Sequence, residues 1–227
     1  VTAGRRASPD PYGRRGPDPE RGLDVERVVF FSDAVFAIAM TLLVIDLRIP
    51  EVPIRQAVTD LPAAIFGMWP KFFSFALSFA VIAVYWAAHH RMFRHVMRMD
   101  PRLLWLNILF LLFIVFVPFP TALLGAYGDL RFVVVFYALS QALIGFTSAI
   151  LWRYASKGHR LTAAETPEGL VRYLMRRALT PGTVFLFSVP LAWISPRLAM
   201  YSWALIMPVL AMWGRMLKKE PGTANAD

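Results

Sequence analysis

Apolar runs of about 20 residues, each long enough to cross a hydrocarbon core of about 30 Å, recur along this chain. Inside a bilayer no water satisfies backbone N–H and C=O groups, so such runs fold as helices that bond themselves. The chain is therefore expected to be an all-α integral membrane protein that crosses the bilayer repeatedly. Composition agrees: of 227 residues 57% are hydrophobic, and the mean hydropathy of +0.51 is too high for a soluble domain. Cysteine is absent, which excludes disulfides, thiolate metal sites and cysteine nucleophiles. The net charge of +9 would suggest nucleic acid in a soluble protein. Here it reads as basic loops on one membrane face, and no nucleic-acid partner is expected.

Six spans are expected. The first runs from about Val28 to Leu47, the second from about Met68 to His90, and the third from about Leu103 to Tyr127. The fourth runs from about Leu130 to Tyr154, the fifth from Leu179 to Ile194 and the sixth from Leu198 to Leu217. Pro190 predicts a kink in the short fifth helix, and "PFP" at Pro118 to Pro120 a bend in the third. "ALLGAYG" after that bend offers small residues for close helix packing. "SPR" at Ser195 to Arg197 marks a tight turn. The segment "EVPIRQAVTDLPAAIFGMW" starts too polar to span; its later half extends the second helix or lies in the interface. "TPEGLVRYLMRR" reads as a short amphipathic helix on the cytoplasmic surface. Residues 1–23, dominated by Pro, Gly and Arg, are expected to form a disordered basic tail, followed by a membrane domain over 24–217 and a short tail over 218–227. The first tail lacks the apolar core of a signal peptide, so the first helix is expected to stay in the mature protein.

Charge sets the expected orientation. Nineteen of the 24 basic residues fall before the first helix, between the second and third, between the fourth and fifth, or after the sixth. The other side keeps Arg48, Arg55, Lys71, Arg131 and Arg197. The excess of cations on the cytoplasmic side of membrane proteins then puts both termini in the cytoplasm of a cell with this protein in its plasma membrane. An even number of spans follows.

Three stretches carry a family resemblance. Arg27, Phe31, Ser32 and Asp33 fit R-x-x-x-F-S-D at the start of a first membrane helix. "VYWAAHHRMFRH" supplies Trp86, His89 and His90 in a Trp-x-x-His-His element that ends the second. "NILFLLFIVFVPFPTALLGAYGD" has the character of a third helix. In this order the three resemble the prokaryotic branch of the transmembrane protein 175 family of potassium channels. The resemblance covers the first 129 residues. It implies six helices per subunit, a homotetramer, and a first helix that lines a central pore with large aliphatic side chains at its narrowest level. Potassium is the permeant ion so implied, and no cofactor is. The family lacks the P-loop and carbonyl filter of other potassium channels, and nothing in this sequence resembles T-V-G-Y-G.

At 100° per residue, Phe31, Ala34, Ile38, Leu42 and Ile45 fall within about 40° of one line, with Thr41 on its shoulder. Spacing alone favours a lipid-facing or bundle-packed stripe, and it is the resemblance that reverses this reading. The resemblance matches Ile38 to the main constriction, Leu42 and Ile45 to flanking rings, and Thr41 to a polar position beside them. Aliphatic rings of this kind gate by dewetting. Ser32 and Asp33 point away from the stripe, so the opening motif is expected to lock helices together, with Arg27, Trp86, His89 and His90 as candidate partners. A competing reading makes Asp33 and the helix-end histidines a proton relay in a secondary transporter. Asp46, near the outer end of the first helix, either helps an acidic ring concentrate cations or forms a surface pair with Arg48. Adjacent His89 and His90 point about 100° apart and cannot chelate one metal together, so no metal site is assigned. Walker loops, G-x-S-x-G and H-E-x-x-H are absent, and the chain is expected not to be an enzyme.

Overall fold

The fold comes from a computed structural model that describes residues 25–217; both expected tails lie outside the described residues. Among these residues the chain is helical throughout, apart from turns and one isolated bridge. The elements are α1 (Val25–Leu42), α2 (Ala57–Gly67), α3 (Trp69–Phe93), α4 (Pro101–Phe116), α5 (Pro118–Tyr127), α6 (Arg131–Ser156), α7 (Glu168–Ile194), α8 (Pro196–Ser202) and α9 (Ile206–Leu217). Among the described residues five helical stretches are long and apolar enough to cross a membrane: Val25–Asp46, Trp69–Phe93, Pro101–Tyr127, Arg131–His159 and Glu168–Ile194.

The remaining stretch, expected as one helix from Leu198 to Leu217, is divided into α8, a 3₁₀ turn over Trp203–Leu205, and α9. Pro208 explains the position of the break. It has no N–H for the carbonyl of Ala204, and its ring crowds that carbonyl. The divided segment still packs on the bundle. Trp203 is buried, its Nε1 donates to Ser188 Oγ at 2.8 Å, and its ring stacks on Tyr137 at 5.1 Å.

The fifth span is longer than its apolar run suggests. The expected surface helix "TPEGLVRYLMRR" is instead the first turns of α7. Its apolar positions Leu170, Leu174 and Ala178, one turn apart, are buried together with Ala88, Met92, Ala149 and Trp152. The bundle covers this face, so it does not lie on lipid. α7 continues through Pro181 and Pro190 as one helix. The segment before the second span does not extend that span: α2 is a helix of its own, with no buried residue, separated from α3 by a turn at Met68, which leaves the interfacial alternative.

Proline and capping chemistry place α4 and α5. Asp100 caps α4, accepting the Leu103 N–H at 2.7 Å, with Pro101 in the first turn, where a missing N–H costs nothing. The other Asp100 oxygen accepts from the Tyr154 hydroxyl at 2.6 Å and lies 3.8 Å from Arg160 Nε, tying the start of α4 to the end of α6. Partial burial pushes the Asp100 carboxyl up. The hydrogen bonds from Tyr154 and Leu103, with Arg160 and Arg102 nearby, outweigh it and hold the group below the usual carboxylate range. Pro118 ends α4 and starts α5, the expected bend. Beyond it Gly125 lets α5 approach α3, since a Cβ there would lie 2.6 Å from Ser74 Oγ. At another glycine α6 and α7 meet backbone to backbone. A Cβ on Gly145 would lie 2.6 Å from both Cα and N of Gly182. Hydrogen bonds between helices complete the core: Tyr85 donates to the Gln141 carbonyl at 2.7 Å, and Ser78 links Tyr137 at 3.0 Å with Thr121 at 2.7 Å.

Candidate functional site

α1 has two faces of opposite character. Val28, Ser32, Phe36, Ala39 and Leu43 are buried against α3 and α4, while Phe31, Ala34, Ile38, Thr41, Leu42 and Ile45 are exposed. Ile38 is 56%, Leu42 36% and Ile45 61% accessible, so the aliphatic stripe is turned out of the subunit along its whole length. The α-helix ends at Leu42 and tightens into a 3₁₀ turn over Leu43–Asp46, short of the expected end at Leu47. A 3₁₀ turn advances about 120° per residue. Ile45 and Asp46 are therefore rotated by tens of degrees from an ideal α-helical wheel, Ile45 remaining exposed and Asp46 half-buried. The Thr41 hydroxyl donates to the Ile38 carbonyl at 2.9 Å and, in an exposed side chain, can still accept a hydrogen bond.

Behind the stripe lies a buried polar chain. Ser32 donates to the Val28 carbonyl at 2.8 Å and accepts from Asn107 Nδ2 at 3.0 Å. The Asn107 Oδ1 then faces His89 Nε2 at 2.8 Å. With the amide so oriented, Nε2 carries the proton and Nδ1 is the bare nitrogen; Nδ1 is buried without a hydrogen-bond partner among the described residues. Ser32, His89 and Asn107 are each 0% accessible. Aromatic rings surround the imidazole: Phe93 stacks at 4.2 Å, Phe110 at 5.5 Å, and Phe36 lies at 5.7 Å. In this dry setting the Asn107 amide joins α4 to α1 through Ser32 and to α3 through His89, and losing any partner strands a buried polar atom.

Asp33 takes a separate partner. Its Oδ1 accepts from Trp86 Nε1 at 2.9 Å, across α1 and α3. Trp86 also packs on His90, ring centres 5.7 Å apart, and His90 is exposed. The two histidines thus diverge, one into the core and one to the surface. Arg27 is exposed and belongs to none of the ion pairs among the described residues. Among those residues no cluster of His, Cys, Asp and Glu could hold a metal ion. Asn107 was not singled out from the sequence. The available signal was a lone amide inside "LLWLNILFLLF", where a membrane helix has no reason to keep one unless it is bonded.

Asp33→Ala is expected to loosen α1 from α3 by about 1 kcal/mol, the usual size of a hydrogen bond between membrane helices. Asp33→Asn keeps an oxygen that accepts the indole N–H and is expected to retain most of that stability. Unfolding in detergent, run as a double-mutant cycle with Trp86→Phe, measures the coupling; a coupling of zero would remove Asp33 from the helix lock.

Comparisons with known proteins place this arrangement. Residues 27–118 match the model of a family described as the endosomal/lysosomal potassium channel TMEM175. A potassium channel of Chamaesiphon minutus is 35% identical over 180 residues, covering 78% of this chain and 88% of that protein. A potassium channel of Streptomyces collinus is 42% identical over 101 residues, 44% of this chain and 48% of that one. The crystal structure of a lysosomal potassium-selective channel TMEM175 homolog from Chamaesiphon minutus superposes with a TM-score of 0.72 at 30% identity, over 83% of this chain and 97% of that one. The matched residues include the R-x-x-x-F-S-D start of α1, the Trp-x-x-His-His end of α3 and the Asn107 that joins them, and with likeness running through most of a relative's length the chain belongs to the TMEM175 family of ion channels.

Proposed function

We propose that this protein is a subunit of a passive, potassium-permeable channel without a P-loop filter, whose pore is lined by α1. The observation that carries this reading is the split character of α1. Ser32 and Asp33, the polar residues inside its first turns, bond backwards into the subunit, while the aliphatic side chains of Ile38, Leu42 and Ile45 are left outside it. A single helix cannot enclose a path, so several copies are needed, and closed rotational symmetry is the natural arrangement. The reading adopts a homotetramer around the α1 stripes. Ile38 forms the narrowest ring, Leu42 and Ile45 flank it, and Thr41 supplies a hydroxyl beside them. Ser32, Asp33, Trp86 and His89 set the tilt and rotation of α1 and do not touch the ion, while Arg27, Phe31 and His90 are exposed members of the same motif. Asp46 is the acidic group nearest the outer mouth, beside Arg48.

The same reading gives the divided segment Pro196–Leu217 the sixth crossing, so that both termini face the cytoplasm and the clustered cations stay on that side of the plasma membrane. Potassium enters by likeness to relatives that carry the name potassium channel. The proton-coupled alternative draws no continuous relay from the geometry. Asp33 bonds Trp86, His89 bonds Asn107, and His90 is at the surface.

The test is the reversal potential of the full-length protein in proteoliposomes under opposed potassium and sodium gradients. It is expected to move towards the potassium equilibrium potential and to stay there when a proton gradient is added. A reversal potential that follows the proton gradient would replace the channel reading with a proton-coupled one.

A further inference from the structure

Where α6 ends and α7 begins, the chain encloses a cleft of about 380 Å³. Arg153 and Lys157 line it from the α6 side, Arg172 and Arg176 from the α7 side, each pair one helical turn apart. Gly158 makes the reversal between them with φ of 61°, a conformation that a side chain disfavours. All four cations are exposed, and none is in an ion pair among the described residues. The acidic side chain in the lining, Glu168, lies 3.5 Å from His159 Nε2. The Arg176 guanidinium is held over the Trp213 ring at 4.8 Å, and Trp213 Nε1 donates to Thr180 Oγ1 at 3.1 Å.

Basic residues at a cytoplasmic membrane edge need no function, since topology alone collects them there. Here they do more than collect. Four positive side chains converge on one concave space from two helices, and like charges so placed repel unless an anion lies between them. The level is also specific. Arg153 and Lys157 lie in the last turns of the apolar stretch Arg131–His159, and Arg172 and Arg176 in the first turns of Glu168–Ile194, so with α6 and α7 crossing a bilayer the cleft falls at the end of the spans, where lipid headgroups lie. Met175 and Val171 give it an apolar side. Around α7 towards α3, the charge excess continues: Arg91 Nη1 and Arg177 Nε are buried with no acceptor among the described residues, and the two guanidiniums repel each other.

We propose that this cleft binds the phosphate headgroup of an anionic membrane lipid. Arg172 and Arg176 grip the phosphate oxygens from α7, Arg153 and Lys157 from α6, and the apolar side receives the start of the lipid's glycerol and chains. A bound lipid would bridge α6 and α7 where they splay apart at the reversal. The inference rests on α6 and α7 crossing the bilayer and is independent of whether α1 lines a pore.

The test titrates the full-length protein in neutral detergent with short-chain phosphatidylglycerol, phosphatidylcholine of equal chain length, and inorganic phosphate, reading Tm. Phosphatidylglycerol is expected to raise Tm saturably, and the other two to leave it unchanged. Lys157→Gln/Arg172→Gln changes two exposed residues and, by relieving repulsion in the cleft, should leave Tm without lipid unchanged or slightly higher. It is expected to weaken phosphatidylglycerol binding roughly 10- to 30-fold, as the loss of two headgroup-level cations predicts. Arg153→Gln, made separately, should weaken it from the α6 side. Arg94→Gln/Arg98→Gln removes the same charge from the neighbouring loop and should leave binding intact. Equal shifts with both lipids, or with inorganic phosphate, would overturn the anionic-lipid assignment. So would unchanged binding in the cleft variants, or equal weakening by the loop variant, which would mean diffuse surface charge.

Discussion

On the proposed pore, Ile38→Asn is expected to wet the narrowest ring, raising current on the order of tenfold or more and lowering discrimination between potassium and sodium. The stripe carries no oxygen at Ile38, Leu42 or Ile45 that could replace an ion's hydration water. Passage there depends on ring width and on whether water stays in the gap. An amide of similar size donates and accepts hydrogen bonds to water, each worth about 0.5–1.5 kcal/mol net. In a ring of several copies the sum exceeds the roughly 1.4 kcal/mol that separates a tenfold difference in rate. Ile38 is exposed in the subunit, so the substitution should not disturb the fold, and the assembled protein can be compared with wild type directly. Currents and reversal potentials are measured for both under one gradient. If properly assembled Ile38→Asn matches wild type in both, Ile38 does not form the constriction.

Gly145→Val should have the largest effect on folding. A Cβ at Gly145 meets the Gly182 backbone at 2.6 Å, and a backbone cannot swing aside as a side chain does. α6 and α7 must then separate, and the separation reaches Tyr85, whose hydroxyl would lie 3.5 Å from the new Cβ and which bonds the Gln141 carbonyl. Overpacking of a close-packed core costs about 1–3 kcal/mol, and more when backbone must move. The expected result is a fall in Tm of several degrees or loss of monodisperse protein in detergent. Gly67→Ala is the control, because a Cβ there has nothing within 4 Å. A Gly145→Val protein as stable as the control would mean that the two helices are not in contact at this level.

Much of this was legible before any coordinates. The apolar runs placed the first four spans to within a few residues, because hydrocarbon selects side chains that differ sharply from those of loops. The bend at Pro118 followed from a missing N–H, and the alignment of Phe31, Ile38, Leu42 and Ile45 on one face of α1 from helical period; that this face is left exposed came only with the packing of α1 on α3 and α4. The reading failed where the signal is not local. "TPEGLVRYLMRR" has the amphipathic pattern of a surface helix, and pattern alone does not say whether lipid or protein covers its apolar face. Leu170 and Leu174 are in fact covered by Ala88, Met92, Ala149 and Trp152 from elsewhere in the chain.

The site divides in the same way. The sequence by itself determined that α1 is a membrane helix, that Ser32 and Asp33 point away from Phe31, Ile38 and Leu42, and that His89 and His90 cannot act together. Each of these follows from 100° per residue and from the chemistry of hydrocarbon. Only the tertiary structure decided the partners. Asp33 had four candidates and took Trp86, and His89 went to Asn107, a residue that the opening motif does not hint at. A helical wheel gives the direction in which a side chain leaves its own axis. Which atom waits at the other end depends on the rotation and depth of a second helix, and these are set by packing residues such as Phe36, Phe110 and Phe93, whose rings enclose His89 and position Asn107 beside it.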